Sequence, residues 1–158
     1  MQQFAGYDPA NNPLNTNEWA FPVCEVFHIL GFILLIGSIS IVDFRMLGLG
    51  ISKQTPAQLV KDTAPWTLVG LVMILITGPL IFSSGPSTYV YCAGLLPDCY
   101  NRAFYYKILM LMLAIIYNWT IHRKVAMTPN SPWAALVGGV SLLMWAFTIF
   151  AGIFIAFV

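Results

Sequence analysis

Residues 20–47 read AFPVCEVFHILGFILLIGSISIVDFRML, an apolar stretch that only a few ionisable side chains interrupt. A helix needs about 20 such residues to cross a bilayer. Three further apolar stretches predict helices at 65–83, 103–121 and 133–157. We therefore expect an all-α fold, a four-helix bundle that lies in a membrane with lipid around it.

Composition supports the same class. Hydrophobic residues make up 59% of the 158 residues and charged residues only 8%, whereas a soluble domain has about 25% charged residues. The net charge is +1 and the longest basic run is Arg123-Lys124. Because nucleic acid binding needs a positively charged surface, nucleic acid is excluded as a partner.

The chain divides into a polar N-terminal tail, residues 1–19, and one transmembrane domain, residues 20–158. The tail lacks the basic segment of a cleavable signal peptide, so we expect it to stay attached. The second helix is predicted to begin with Thr63 as its N-cap and Pro65 in its first turn, as proline favours a helix start.

Basic residues predict the orientation of the bundle. They concentrate in or beside the loops after the first and third helices, and cytoplasmic loops are enriched in lysine and arginine. Both termini are thus expected on the non-cytoplasmic side, in a bacterial inner membrane. Asp43, Arg45, Lys61 and Asp62 are interpreted as a solvated cytoplasmic cluster, with His122 at the cytoplasmic rim.

Two cysteines, Cys92 and Cys99, bracket the predicted outer loop. An oxidising compartment favours a disulfide there. The alternative is two unpaired small residues in an ordered loop.

His28 and Lys107 lie inside predicted helices, where an ionisable side chain costs roughly 2.5 kcal/mol or more unless it faces the bundle interior with a partner. A rise of about 1.5 Å per residue places His28 roughly 12 Å and Lys107 about 6 to 8 Å below the outer helix ends. Their similar depth predicts a shared site.

Neighbouring side chains extend this candidate site. Glu25 and Gly31 share a helix face with His28, and Gly31 would leave room for a flat ligand. Trp145 and Thr148 lie on one face of the fourth helix, where Trp145 is a candidate to pack on a macrocycle. The alternative is structural, because small and hydroxylated residues pack membrane helices together.

His28 itself has two interpretations. It either hydrogen-bonds Glu25 or a neighbouring hydroxyl and holds the bundle together, or it binds a cofactor. Neutral imidazole is the commonest metal ligand and the usual axial donor to haem iron. The matching depth of Lys107 favours the functional interpretation.

Three segments carry a family resemblance: FHILGFILLIGSISIVDFRMLGL at 27–49, PWTLVGLVMILITGPLIF at 65–82 and NRAFYYKILMLMLAIIYNWTIHRK at 101–124. In order and spacing they resemble a family of small bacterial four-helix membrane proteins of unknown function. That family is similar to the copper-resistance D membrane domain and to the haem-containing bacterial protoporphyrinogen oxidase. The resemblance covers nearly the whole chain after Glu18.

The resemblance implies a cofactor and roles for three residues. In the oxidase family a histidine in the first helix binds haem b, and a lysine that opens the third helix is needed for activity. Those positions match His28, as the ligand of the haem iron, and Lys107, as the catalytic residue. Arg45 matches the basic residue that closes the first helix. The oxidase family's end motifs are not evident after the third helix, so the resemblance supports a haem site more strongly than a reaction.

Three hypotheses for function follow. The first is a haem-b protein that passes electrons between the quinone pool and a protein partner on the outer face. The second is a protoporphyrinogen-oxidase-like membrane enzyme, with Lys107 near the substrate carboxylates. The third is a non-catalytic subunit of a membrane complex or a transporter-like module, in which Glu25, His28 and Lys107 form only a polar core network. A protein partner or a homo-oligomer is expected in addition to the bilayer.

Overall fold

Four long helices make up the computed structural model, which describes residues 8–50, 53–86 and 101–157. They are α1 (Ala20–Met46), α2 (Pro56–Ser84), α3 (Arg102–Met127) and α4 (Ala134–Phe154), and each is long and apolar enough to cross a membrane. The described residues contain no strand. The predicted all-α fold with four membrane-spanning helices is therefore confirmed, and both ends of the transmembrane domain lie at the same end of the bundle.

The closest helix pair is α1 against α2. A methyl group on Gly70 would come within 2.5 Å of the Leu35 backbone nitrogen and 2.7 Å of the Gly31 carbonyl oxygen. Only hydrogen fits at such a distance, so these glycines bring the two backbones together. Small residues have this role in membrane bundles, because the lipid is as apolar as the side chains and helix association depends on close packing.

The second pair is α3 with α4, and α4 also packs against α1. A buried cluster in the middle of the bundle unites all four helices through Leu35, Ile39, Ile74, Ala114 and Trp145. A second cluster lies where α1 ends and α2 begins, and includes Val42, Met46, Leu59, Ala126 and Val137. We call that end of the bundle the basic end, because Arg45, Lys53, Lys61, Arg123 and Lys124 lie there.

The start of α2 differs from the sequence-based prediction. The N-cap is Thr55, which forms a capping box with Gln58, and Pro56 occupies the first turn. Thr63 lies inside the helix, where its hydroxyl donates to the Leu59 carbonyl at 2.8 Å. The observed start combines the same two signals, a capping threonine and a first-turn proline, but it lies nine residues before the predicted Pro65.

A π-helical turn at Asn118–His122 interrupts α3. Such turns are rare and often mark functional sites, because the additional residue changes the direction in which side chains point. Both Asn118 and His122 are buried. The turn therefore places two polar side chains in the bundle interior near the basic end.

The polar tail packs on the end of α2. Asn12 donates to the Ser83 hydroxyl at 2.9 Å and Asn15 to the Ser84 carbonyl at 2.6 Å. Cys92 and Cys99, with the predicted disulfide, lie outside the described residues.

Candidate functional site

A cavity of about 770 Å³ lies between α1 and α4, in the half of the bundle away from the basic end. Its volume falls in the range of roughly 300 to 1,000 Å³ that is usual for small-molecule sites. Side chains from all four helices line it, and apolar residues predominate. The lining residues are Glu25, His28, Ile29, Phe32, Ile33, Ile36, Gly37, Ile81, Lys107, Thr148, Ile149, Gly152, Ile153 and Ile155.

The cavity opens on the side of the bundle that faces lipid. Four of its isoleucines are between 42% and 60% exposed, and in a membrane these side chains contact hydrocarbon. At the basic end the same two helices close together, since a methyl group on Gly138 would lie 3.1 Å from the Asp43 carbonyl oxygen. The opening of the cavity therefore faces the hydrocarbon of the bilayer.

His28 is held in one orientation and one tautomer. Its Nδ1 lies 2.7 Å from the Thr77 hydroxyl oxygen, and that hydroxyl donates its single hydrogen to the Met73 carbonyl at 2.7 Å. The hydroxyl must then accept from His28, which assigns the imidazole hydrogen to Nδ1. Nε2 keeps its lone pair, and no described residue forms a hydrogen bond with it.

This arrangement is the usual one for a metal-binding histidine, in which the nitrogen that does not bind the metal donates to a neighbouring acceptor. Of the two structural partners expected for His28, the structure selects the hydroxyl and not Glu25. Glu25 nevertheless lines the cavity and is exposed.

Lys107 reaches the same cavity from α3. Its Nζ lies 5.3 Å from the centre of the Phe32 ring, within range of a cation–π interaction, and the Phe32 ring contacts His28 edge to face at 5.1 Å. A methyl group on Gly152 would lie 3.3 Å from Nζ, so this glycine makes room for the lysine. Among the described residues no carboxylate forms an ion pair with Lys107.

Thr148 is the remaining predicted residue in the cavity. It is fully buried, and its hydroxyl donates to the Met144 carbonyl at 2.9 Å. The oxygen retains lone pairs that can accept a hydrogen bond from a ligand. The structure thus brings together Glu25, His28, Lys107 and Thr148.

Three other predicted cofactor-binding residues do not line this cavity. The space beside Gly31 is filled by α2, since a methyl group there would lie 2.8 Å from the Ile74 side chain. Arg45 lies at the basic end and donates from Nε to the Gln54 carbonyl at 2.6 Å. Trp145 is buried in the central cluster between the helices.

The interpretation of Asp43 as part of a solvated loop cluster is wrong, whereas His122 lies at the basic end beside Arg123 but is buried there. Asp43 is 0% exposed and His122 is 3% exposed, and His122 Nε2 contacts Asp43 Oδ1 at 2.5 Å. Lys61 and Asp62 are exposed as expected. The signal was present in the sequence, because Asp43 follows the buried Leu35 and Ile39 at spacings of eight and four on one helix face.

A smaller cavity of about 170 Å³ adjoins His122 between α1, α2 and α3. Polar lining residues are Thr63, Thr67, Asn118 and Arg123. Within the described parts of the chain, no three His, Cys, Asp or Glu side chains converge as a site for a bare metal ion would require.

Comparisons with protein-family models, with curated proteins and with solved structures find no match to this chain.

Proposed function

We propose that this membrane protein binds haem b in the cavity between α1 and α4, with His28 as an axial ligand. The observation that carries the proposal is the tautomer of His28. The Nδ1–H donates to Thr77, whose hydroxyl is itself committed to the Met73 carbonyl. The lone pair of Nε2 is therefore left for a ligand, and a single imidazole can hold a haem iron.

The rest of the cavity fits the same cofactor. An apolar wall suits a macrocycle, and the volume of about 770 Å³ suits a large ligand. Haem propionates are anionic, and Lys107 provides a cation in the cavity wall. No carboxylate among the described residues forms an ion pair with this lysine. Lys107 would thus pair with a propionate rather than bind the iron, because lysine must lose its proton before it can ligate.

Electron transfer is the activity that we assign to the bound state. Haem iron supplies one-electron redox chemistry when it is bound. The cavity opens toward lipid, where quinones dissolve, so a quinol can approach it from the bilayer. We propose that electrons pass between the quinone pool and a protein partner on the non-cytoplasmic face.

The lateral opening also supports a second candidate, a protoporphyrinogen-oxidase-like enzyme. A porphyrinogen is apolar in its ring and carries carboxylates, which match the isoleucine-rich wall and Lys107. This activity would appear as consumption of protoporphyrinogen by purified protein and would be lost in Lys107→Met.

The proposal is tested by the haem content of purified protein. Wild-type protein, expressed with an adequate haem supply, should show a b-type reduced-minus-oxidised spectrum and release haem on extraction. His28→Ala should lower the haem content at least about tenfold, because the axial nitrogen is lost.

Leu30→Ala is the matched control. Leu30 lies two residues away on α1, is 44% exposed and does not line the cavity, so this variant should keep its haem. Wild-type protein without haem, or His28→Ala with its full haem complement, would overturn the assignment. Glu25, His28 and Lys107 would then form the polar core of a non-catalytic subunit.

A further inference from the structure

His122 carries one ring nitrogen that is only weakly engaged. The amide nitrogen of Asn118 lies 3.4 Å from His122 Nδ1, beyond the usual range of about 2.7 to 3.2 Å for such a bond. The Asp43 carboxylate oxygen accepts from Nε2, which places the ring hydrogen of the neutral histidine on Nε2 and leaves Nδ1 without one. Nδ1 is therefore the atom at which this histidine can take up a proton.

His122 lines the cavity of about 170 Å³. A water molecule occupies about 30 Å³ in the liquid, so the cavity has room for several. Thr63 and Thr67 donate their hydroxyl hydrogens to carbonyls of their own helix at 2.8 and 3.0 Å. Their oxygens keep lone pairs for water. Arg123, which is exposed, also lines the cavity and connects it with the surface at the basic end.

The Asp43 carboxylate has a second oxygen, Oδ2, that does not take part in the bond to His122. Asp43 Oδ2 and the Ser141 hydroxyl oxygen are both fully buried, and neither has a partner with good hydrogen-bond geometry among the described residues, although Ser141 lies close enough to interact with the carboxylate. Unsatisfied buried polar atoms are rare in folded proteins and call for an explanation. A carboxylate stabilises an adjacent imidazolium cation more strongly than it stabilises a neutral imidazole.

We propose that His122 and Asp43 form an intramembrane proton-binding site that exchanges protons with water at the basic end of the bundle. A hydronium ion in the cavity transfers its proton to Nδ1, which leaves water and an imidazolium that Asp43 stabilises. The Asn118 amide can turn to offer its oxygen to the new N–H. This site is separate from the haem cavity and does not depend on it.

The other charged or titratable groups near the pair lie on three helices. Arg45 of α1 donates to Gln54, Lys61 and Asp62 of α2 are exposed, and Arg123 lines the cavity from α3. Tyr117 of α3 donates its hydroxyl hydrogen to the Val137 carbonyl at 3.1 Å. The α4 segment contributes no ionisable side chain. Asp43 is therefore the buried anion that His122 meets.

The test is a pH titration by nuclear magnetic resonance of protein labelled with ¹⁵N-histidine in lipid nanodiscs. The chain has two histidines, and His28→Ala identifies the His122 signals. We expect His122 to change from the neutral form to imidazolium as pH falls. In Asp43→Asn the midpoint should fall by at least about one pH unit, because the stabilising anion is gone.

Two controls separate this result from general effects. Asp62→Asn removes an exposed carboxylate at the same end and should leave the midpoint within a few tenths of a pH unit. The His122 titration should also persist in His28→Ala, so failure of haem binding and failure of the proton site can be told apart.

A second variant tests the cavity itself. Thr67→Leu removes a hydroxyl and fills the space for water, so it should lower the midpoint, whereas Val69→Leu on the lipid-facing side of α2 should not. A His122 signal that stays neutral in wild-type protein over the folded pH range overturns the proposal. An unchanged midpoint in a folded Asp43→Asn protein does so too.

Discussion

At the residue scale, the two histidines have opposite surroundings although both lie in membrane helices. His28 donates to a neutral hydroxyl and offers a lone pair to a large apolar cavity. His122 donates to a carboxylate and adjoins a small polar cavity. His28 therefore presents a nitrogen lone pair that can bind a metal, whereas His122 is paired with a carboxylate.

Lys107 is expected to recognise a propionate, and esterified haem tests this contact. Wild-type protein should bind haem more tightly than haem dimethyl ester by about tenfold, since one charge-assisted contact contributes roughly 1.5 kcal/mol. Lys107→Met should abolish that preference while still binding the ester. The measurement is a titration of haem-free protein with each compound, followed by absorption.

Arg102→Met is the control for Lys107, because Arg102 is an exposed cation on the same helix. It should keep the preference for free haem. If Lys107→Met retains the full preference, the lysine does not contact a propionate.

His122 is unsuitable as a neutral control in such experiments. His122→Ala would leave the fully buried Asp43 carboxylate without its partner. Breaking a buried pair in this way costs about 3 to 5 kcal/mol. Loss of haem in that variant would therefore report unfolding rather than binding.

At the element scale, the contact of α1 with α2 depends on the absence of a side chain at Gly70. Gly70→Ala should lower the free energy of unfolding by about 2 to 3 kcal/mol, the upper part of the range for overpacking. The new methyl group would meet backbone atoms of Gly31 and Leu35, which cannot rotate away. Equilibrium unfolding in detergent micelles measures the change.

Gly139→Ala is the matched control on α4. A methyl group there would meet only the Leu47 side chain, at an ordinary 3.8 Å. The greater helix propensity of alanine should raise stability by up to about 1 kcal/mol. Equal destabilisation by both variants would contradict the close approach of α1 and α2.

The two helix pairs also explain why the cavity lies where it does. The glycines in α1 and α2 leave no space between those helices, and the approach of Gly138 to Asp43 closes α1 against α4 at the basic end. The larger cavity lies between the same two helices in the other half of the bundle.

At the scale of the whole molecule, the distribution of lysine and arginine predicts a cytoplasmic basic end. A green fluorescent reporter fused after Gly50 should fluoresce, and alkaline phosphatase fused after Val158 should be active, since each works on one side of a bacterial inner membrane only. The reverse pattern would place the proton-binding site on the non-cytoplasmic side.

The sequence by itself determined the membrane class and the number of helices, and it identified His28 and Lys107 as candidate site residues. Apolar stretches and the ionisable residues within them are local signals. Tertiary structure decided which of these residues share a cavity. Gly31 and Trp145 have the right spacing to bind a ligand, but α2 and the central cluster occupy their surroundings. Asp43 and His122 are 79 positions apart in the chain. Only the arrangement of the bundle, in which α3 packs against α4 and α4 packs against α1, together with the π-helical turn at Asn118–His122, makes them a buried pair.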